Sequence, residues 1–249
     1  MAVQNETSLP SGHPYRRTLL KSLGAVTALA LVGTGALSSI AYADALTKAQ
    51  RDKLTPDDIL ALMKKGNKRF YTGQPEDYDF LAQQRSSAKG QYPAAVLLSC
   101  IDSRAPAETI MDLGIGDVFN SRVAGNVESA DILGSMEFAC KLSGAKVVLV
   151  MGHTSCGAIK GAIDNAELGN LTGLLAKIKP AVAATTYTGE RTSKNYAFVD
   201  AVARKNVDIT IANIRKDSPV LVQMESNGAI KIAGAMYNLE TGVVDFFKG

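Results

Sequence analysis

The 249-residue chain contains no tryptophan, only two histidines and only three cysteines. The histidine shortage constrains metal chemistry directly. His13 stands in an N-terminal stretch read below as a leader, so the rest of the chain has one imidazole, and a tight transition-metal site there must recruit cysteine. Three cysteines, an odd number, fit a disulfide framework poorly. The absence of any Cys-x-x-Cys spacing argues against a thiol-redox protein. An excess of one charge sign is missing too: 27 basic against 24 acidic residues give +3. Setting aside the leader's Arg16, Arg17, Lys21 and Glu6 leaves +1. A near-neutral domain with no evident basic face excludes nucleic acid as the expected partner.

The first 43 residues read as an address. Tyr15-Arg16-Arg17-Thr18-Leu19-Leu20-Lys21 supplies a twin arginine followed by apolar residues and a lysine, and residues 23–40 are apolar and rich in Gly, Ala, Ser and Thr. Ala41-Tyr42-Ala43 then gives a small-x-small cleavage pattern. This resembles a bacterial twin-arginine export signal, with Leu19 where phenylalanine often stands. The alternative is an uncleaved anchor, for which the apolar stretch is near the lower length limit. The expectation is a leader over 1–43 and one domain over 44–249, exported to the periplasm, with no stable membrane span after leader removal. Export in the folded state would let a metal load before the thiols meet an oxidising compartment.

The remaining 206 residues suffice for one domain with a large core, and no repeat or low-complexity linker interrupts them. Thr55-Pro56-Asp57-Asp58 is a helix start: a hydroxyl cap, proline in the first turn and acids at the positive helix end. That helix is expected to run to Phe70, and a second over 79–89. Strand and helix signals then alternate: strand 94–99, helix 105–112, strand 117–122, helix 130–142, strand 146–151. Such alternation predicts an α/β fold, a central mainly parallel β-sheet flanked by helices. Helices are expected over 171–184 and 193–216. Residues 229–237 and 243–247, split by Glu240-Thr241-Gly242, read as a C-terminal β-hairpin.

The chemistry concentrates where two apolar runs end. Cys100, Asp102 and Arg104 lie in Ser99-Cys100-Ile101-Asp102-Ser103-Arg104, after the run 94–98. His153 and Cys156 lie in Gly152-His153-Thr154-Ser155-Cys156-Gly157, after the run 147–151. Carboxyl ends of parallel strands gather functional groups, so the two motifs can meet in space. Two thiolates and an imidazole suit Zn2+, leaving a fourth position for chemistry. The plain alternative makes Cys100 and Cys156 small core residues, the reading preferred for Cys140 within Met136-Glu137-Phe138-Ala139-Cys140.

Cys-x-Asp-Ser-Arg followed by His-x-x-Cys-Gly resembles the β-class carbonic anhydrases. Gly90-Gln91-Tyr92-Pro93, Gly116-Asp117-Val118-Phe119, Ala124-Gly125-Asn126 and the hairpin around Tyr237 to Val244 are similar to that family as well. Val123 departs from it, standing where asparagine is usual. The resemblance implies a lyase that hydrates carbon dioxide reversibly to bicarbonate and a proton. Zinc on Cys100, His153 and Cys156 would lower the pKa of a bound water from about 16 toward roughly 7, generating hydroxide. Asp102 would orient that hydroxide or, in a closed state, become the fourth ligand; Arg104 would hold Asp102 off the metal. Gln91 and the Gly157 amide would bind bicarbonate, and Phe119 and Phe138 would wall the carbon dioxide site, although either phenylalanine reads equally well as core. The absent tryptophan, with Leu97 and Phe138 beside Arg122, implies the plant-like, always-accessible subtype. The family also implies a homodimer or higher homo-oligomer, with N-terminal helices as an arm across the partner and with Gln91 and Phe119 serving the partner's zinc. No histidine remains to shuttle protons, so turnover is expected to depend on buffer concentration.

Two other readings use the same residues. A zinc hydrolase of carbon disulfide or carbonyl sulfide would differ in the shape of its substrate channel, which these motifs do not report. A non-catalytic zinc-binding module would have no use for Asp102 and Arg104.

Overall fold

The computed structural model describes residues 44–247; the leader expected over 1–43 lies outside the described residues. The helices described are α1 (Lys48–Lys53), α2 (Pro56–Tyr71), α3 (Phe80–Ser87), α4 (Ala107–Ile110), α5 (Ala130–Glu137), α6 (Gly157–Ile163), α7 (Gly169–Ala176), α8 (Lys179–Ala184), α9 (Tyr196–Asp217) and α10 (Pro219–Ser226).

The two uninterrupted apolar runs become neighbouring central strands, β1 (Ala95–Ser99) following the short loop after α3, and β3 (Val147–His153). Strands buried on both faces need no polar alternation, which is why these runs carry none. β2 (Val118–Arg122) pairs parallel with β1, β4 (Lys231–Tyr237) parallel with β3, and β5 (Val244–Phe246) antiparallel with β4. The order is β2-β1-β3-β4-β5. The C-terminal hairpin is thus formed, and its first strand also extends the parallel sheet.

Side-chain alternation divides the core between the two faces. Val96, Leu98, Val148 and Val150 pack with Met136 of α5, Ile159 of α6 and Val202 of α9. Ala95, Leu97, Val147 and Leu149 pack on the other face with Met63 of α2 and Ile110 of α4. The result is an α/β domain with helices on both sides of the sheet.

Local chemistry explains the helix limits. Thr55 and Asp58 form a reciprocal capping box around Pro56. The single helix expected over 171–184 is two, α7 and α8, because Pro180 has no N–H to continue the hydrogen-bond ladder. The expected 105–112 helix contracts to α4, and the 130–142 helix changes to π-type turns over Phe138–Leu142. Asn195 caps α9, three residues into the expected segment.

The helix α2 lies on the sheet of its own chain. Asn67 donates to the carbonyls of Ile110 (3.1 Å) and Gly242 (2.9 Å) and accepts from Val244 N (2.8 Å), tying the helix to α4 and the hairpin. A Cβ at Gly66 would sit 1.9 Å from the Met111 carbonyl oxygen. Alanine normally improves a helix by roughly 1 kcal/mol over glycine, yet overpacking against backbone costs about 1–3 kcal/mol or more. Gly66→Ala is therefore expected to destabilise by at least about 1 kcal/mol in urea unfolding; a stabilised variant would contradict this packing. Among the described residues no helix is long and apolar enough to cross a membrane.

Candidate metal centre

Parallel pairing places the two motifs side by side. Ser99 is in register with Met151, so Cys100 leaves β1 beside the last residues of β3, where His153 ends the strand. Cys156 follows one short turn later as the residue capping α6. All three side chains are buried, and Cys100 Sγ, His153 and Cys156 Sγ present donor atoms within 4.8 Å of one another. The sulfurs are 3.9 Å apart. Tetrahedral zinc with Zn–S near 2.3 Å separates two sulfurs by about 3.8 Å, so the spacing fits.

The imidazole is set for the same purpose. His153 Nδ1 lies 2.9 Å from the Thr154 carbonyl oxygen, which can only accept, so Nδ1 carries the proton and Nε2 the lone pair. That Nε2 is buried without a hydrogen-bond partner. An orphaned buried nitrogen facing two thiols is the donor set a divalent cation satisfies. The electrostatics agree. The Cys156 thiol hydrogen bond, aided by His153 and by Gly125 N at 3.3 Å, outweighs burial and lowers the Cys100 thiol. Burial opposes an imidazolium at His153, but the Cys100 sulfur outweighs it and raises the residue. Positive charge is favoured at this point of the fold.

Asp102 is held beside the donor triangle by Arg104. Arg104 grips it with a fork, Nε to Oδ1 at 3.0 Å and Nη2 to Oδ2 at 2.8 Å, and the Arg104 backbone N adds a third bond at 3.0 Å. The Arg104 side chain, first, holds the Asp102 carboxyl far below the ordinary carboxylate range. Asp102 Oδ2 lies 3.8 Å from His153 Nε2, adjacent to where the donors converge. Gly157, at the start of α6, is exposed, and an added Cβ there would meet nothing within 4 Å.

The other expected substrate contacts lie elsewhere in the single chain. Gln91 is exposed in the loop that enters β1, whereas Cys100 leaves it. Phe119 is in register with Val96, three residues before the Arg122–Ser99 level, or about 10 Å along the strand. It meets Phe138 edge to face at a centroid distance of 6.1 Å, and both line an open surface cavity with Asn120 and Ser135. Phe138 is 48% exposed. Cys140 is buried in the core as expected, its thiol pushed up to about 12 by burial.

Three residues outside the ligand motifs support the centre, and two of them, Asp200 and Asn206, carry no local sequence signal. Arg122 donates to the carbonyls of Cys100 (2.9 Å) and Asp102 (2.6 Å), pinning the first motif's backbone. Buried Asn206 of α9 donates to Gly125 O at 2.7 Å, fixing the turn that supports Cys100 Sγ. Asp200, also on α9, accepts from Ser155 N at 2.7 Å, and Ser155 sits at φ 55°. A non-glycine residue there costs on the order of 1 kcal/mol, so the carboxylate holds the ligand loop in an unfavoured turn. Asp200→Leu is expected to weaken zinc binding about 10–100-fold in chelator competition, while Asp200→Asn, which keeps an acceptor, retains most affinity. Equal losses in both variants would contradict a role through the Ser155 amide.

The carbonic anhydrase family model matches residues 95–244, which span both motifs, the sheet and the hairpin. The chain belongs to the β-class carbonic anhydrases. It is 34% identical over 182 residues to carbonic anhydrase 2 of Mycobacterium tuberculosis, covering 72% of this chain and 87% of that protein. The β-carbonic anhydrase CafA of Aspergillus fumigatus superposes with a TM-score of 0.59 at 26% identity, covering 77% of this chain and 90% of that one. A tetrameric β-carbonic anhydrase of Sordaria macrospora gives 0.57 at 25% identity, with coverages of 65% and 84%. As a carbonic anhydrase the chain is a lyase acting on carbon dioxide and bicarbonate.

Proposed function

We propose that this carbonic anhydrase hydrates carbon dioxide with zinc held by Cys100 Sγ, His153 Nε2 and Cys156 Sγ, in an open site whose fourth position Asp102 does not occupy. The observation that carries this reading is the unpartnered buried Nε2 facing two sulfurs 3.9 Å apart, while Arg104 occupies both oxygens of Asp102. Bound zinc supplies a Lewis acid that ionises water near neutral pH. Asp102 accepts a hydrogen bond from the attacking water and aims its lone pair, and Arg104 keeps Asp102 ionised and in place. Arg122 fixes the backbone on which Asp102 stands. The Gly157 amide, at the exposed start of α6, donates to an oxygen of the product anion. His153 Nδ1 is committed to the Thr154 carbonyl, so the released proton leaves through water or buffer.

The separation of Gln91, Phe119 and Phe138 from the donors of their own chain supports a homo-oligomer in which a second copy completes the substrate wall. The tetrameric Sordaria relatives support association as well. Residues 1–43 support export through the twin-arginine route, so the proposed location is the periplasm.

Stopped-flow carbon dioxide hydration by the zinc-loaded protein, with zinc measured per chain, tests the reading. One zinc per chain with rapid hydration is expected. A verified holoenzyme that leaves the uncatalysed rate unchanged would remove it.

A further inference from the structure

An apolar cavity with a carboxylate in its wall lies beneath the first described residues, between the leading helices and the amino ends of β1 and β2. Leu54, Met63 and Leu113 line it together with the charged groups Asp44, Arg69 and Asp117. Arg69 directs Nε to Asp112 and reaches Glu76 at 3.5 Å. Asp117 accepts from Gly114 N at 2.8 Å, and no cation pairs with it among the described residues. Burial pushes its carboxyl up to about 6, the mark of a carboxylate lacking a positive partner.

The chain just after the expected cleavage point is fastened to this same wall. Ala45 is 8% exposed and its N–H donates to Ser86 Oγ at 3.1 Å. A Cβ on Gly116 would meet Ala45 Cβ at 3.2 Å, so Ala45 packs against the residue preceding Asp117. Asp44 stands exposed at the cavity's edge, directly after Ala41-Tyr42-Ala43.

We infer that cleavage between Ala43 and Asp44 completes the fold, the new α-ammonium of Asp44 becoming the counter-ion of Asp117 in this cavity. The inference rests on the reading of residues 1–43 as a removable leader and goes beyond the hydration chemistry. Water adds across the Ala43–Asp44 peptide bond in a protease-catalysed hydrolysis, leaving a carboxylate on Ala43 and an ammonium on Asp44. Before cleavage that nitrogen is a neutral amide. Processing therefore creates a positive charge at the rim of the cavity that half-buried Asp117 lines, adding an ionic tie to the segment Ala45 already fastens. The Asp44 carboxylate is exposed and solvated, so it competes weakly for its own ammonium.

The full chain is expressed in a bacterium with twin-arginine export and purified from the periplasm. Intact mass is expected to show a chain beginning at Asp44. After 13C reductive methylation, NMR titration of the α-amine is expected to give a pKa at least about one unit above the ordinary range of roughly 7.7–8.0. In Asp117→Asn, which keeps an acceptor for Gly114 N, it is expected to return to that range. As a second reading, Asp117→Asn lowers the Tm of the processed protein but not that of the leader-bearing cytoplasmic precursor. A mature terminus elsewhere, or none, overturns the inference through the leader reading. A terminus at Asp44 whose α-amine titrates ordinarily, and identically in both proteins, overturns the pairing alone.

Discussion

Cys100→Ser is expected to strip zinc from the protein and return carbon dioxide hydration to the uncatalysed rate. Serine is close in size, but its hydroxyl stays protonated at neutral pH, whereas metal binding requires the deprotonated donor. The remaining His153 and Cys156 make a two-ligand site, too few for a tight zinc centre. The kinetic consequence follows from water itself. Without the metal its pKa returns to about 16 from roughly 7, so the hydroxide available at neutral pH falls by a factor on the order of 10⁸. Stability should suffer far less. Cys100 and Cys156 belong to one buried cluster, but most of what packs β1 and β3 on both faces is aliphatic, and serine nearly preserves the volume at Cys100. Circular dichroism is therefore expected to be preserved while zinc per chain falls toward zero. Full zinc retention with parent-like turnover would show that Cys100 is not a ligand; lost circular dichroism would show that the sulfur organises the fold. Removing zinc from the parent with a chelator is expected to reproduce the activity loss, and restoring zinc to reverse it.

The centre of this fold was readable because burial on both faces leaves a plain mark: runs 94–98 and 147–151 have no polar position, and the ligand motifs begin where those runs stop. The capping box at Thr55 and Asp58 was equally plain, since every partner lies within four residues. What the sequence did not disclose depends on partners distant in the chain. Asp200 meets Ser155, and Asn206 meets Gly125, only after α9 folds back over the sheet. No periodicity distinguishes either residue from the other polar positions of α9, such as the buried Thr210. α1 and α10 are short, six and eight residues, so neither carries a long periodic pattern; the Thr47–Gln50 capping box and the Ser218 cap with Pro219 are their local marks. Within its own chain α2 packs on the sheet, Ile59 and Met63 joining the cluster of Leu97 and Ile110. Gln91 and Phe119 illustrate a different limit. Motif similarity assigns them to substrate, and the register then places Phe119 well back from the ligand end of the same chain.

Asp102→Asn is expected to keep zinc and lower turnover by about 10–100-fold, the range for losing a group that orients what the metal holds. The exchange preserves shape but reverses half the side chain's hydrogen-bond character. One edge of the amide still accepts from Arg104, while its NH2 now confronts a guanidinium that has only donors, so the fork at 3.0 and 2.8 Å is expected to open. The pH profile separates this role from proton transfer. Arg104, with its backbone amide, lowers the Asp102 carboxyl, so the pairing stabilises the folded chain at pH values above the ordinary carboxylate range. That stabilisation is lost only as pH falls through the lower folded value, below the ordinary range. Between pH 5 and 9 Asp102 therefore stays ionised, and removing it should scale the whole profile down without adding or deleting an inflection. Arg104→Lys, which replaces a planar fork by a single ammonium, is expected to fall between the parent and Asp102→Asn. Loss of zinc in Asp102→Asn would instead make the aspartate a ligand of the resting site. Unchanged turnover would leave the Asp102–Arg104 pair a structural contact, with the attacking water aimed by something else.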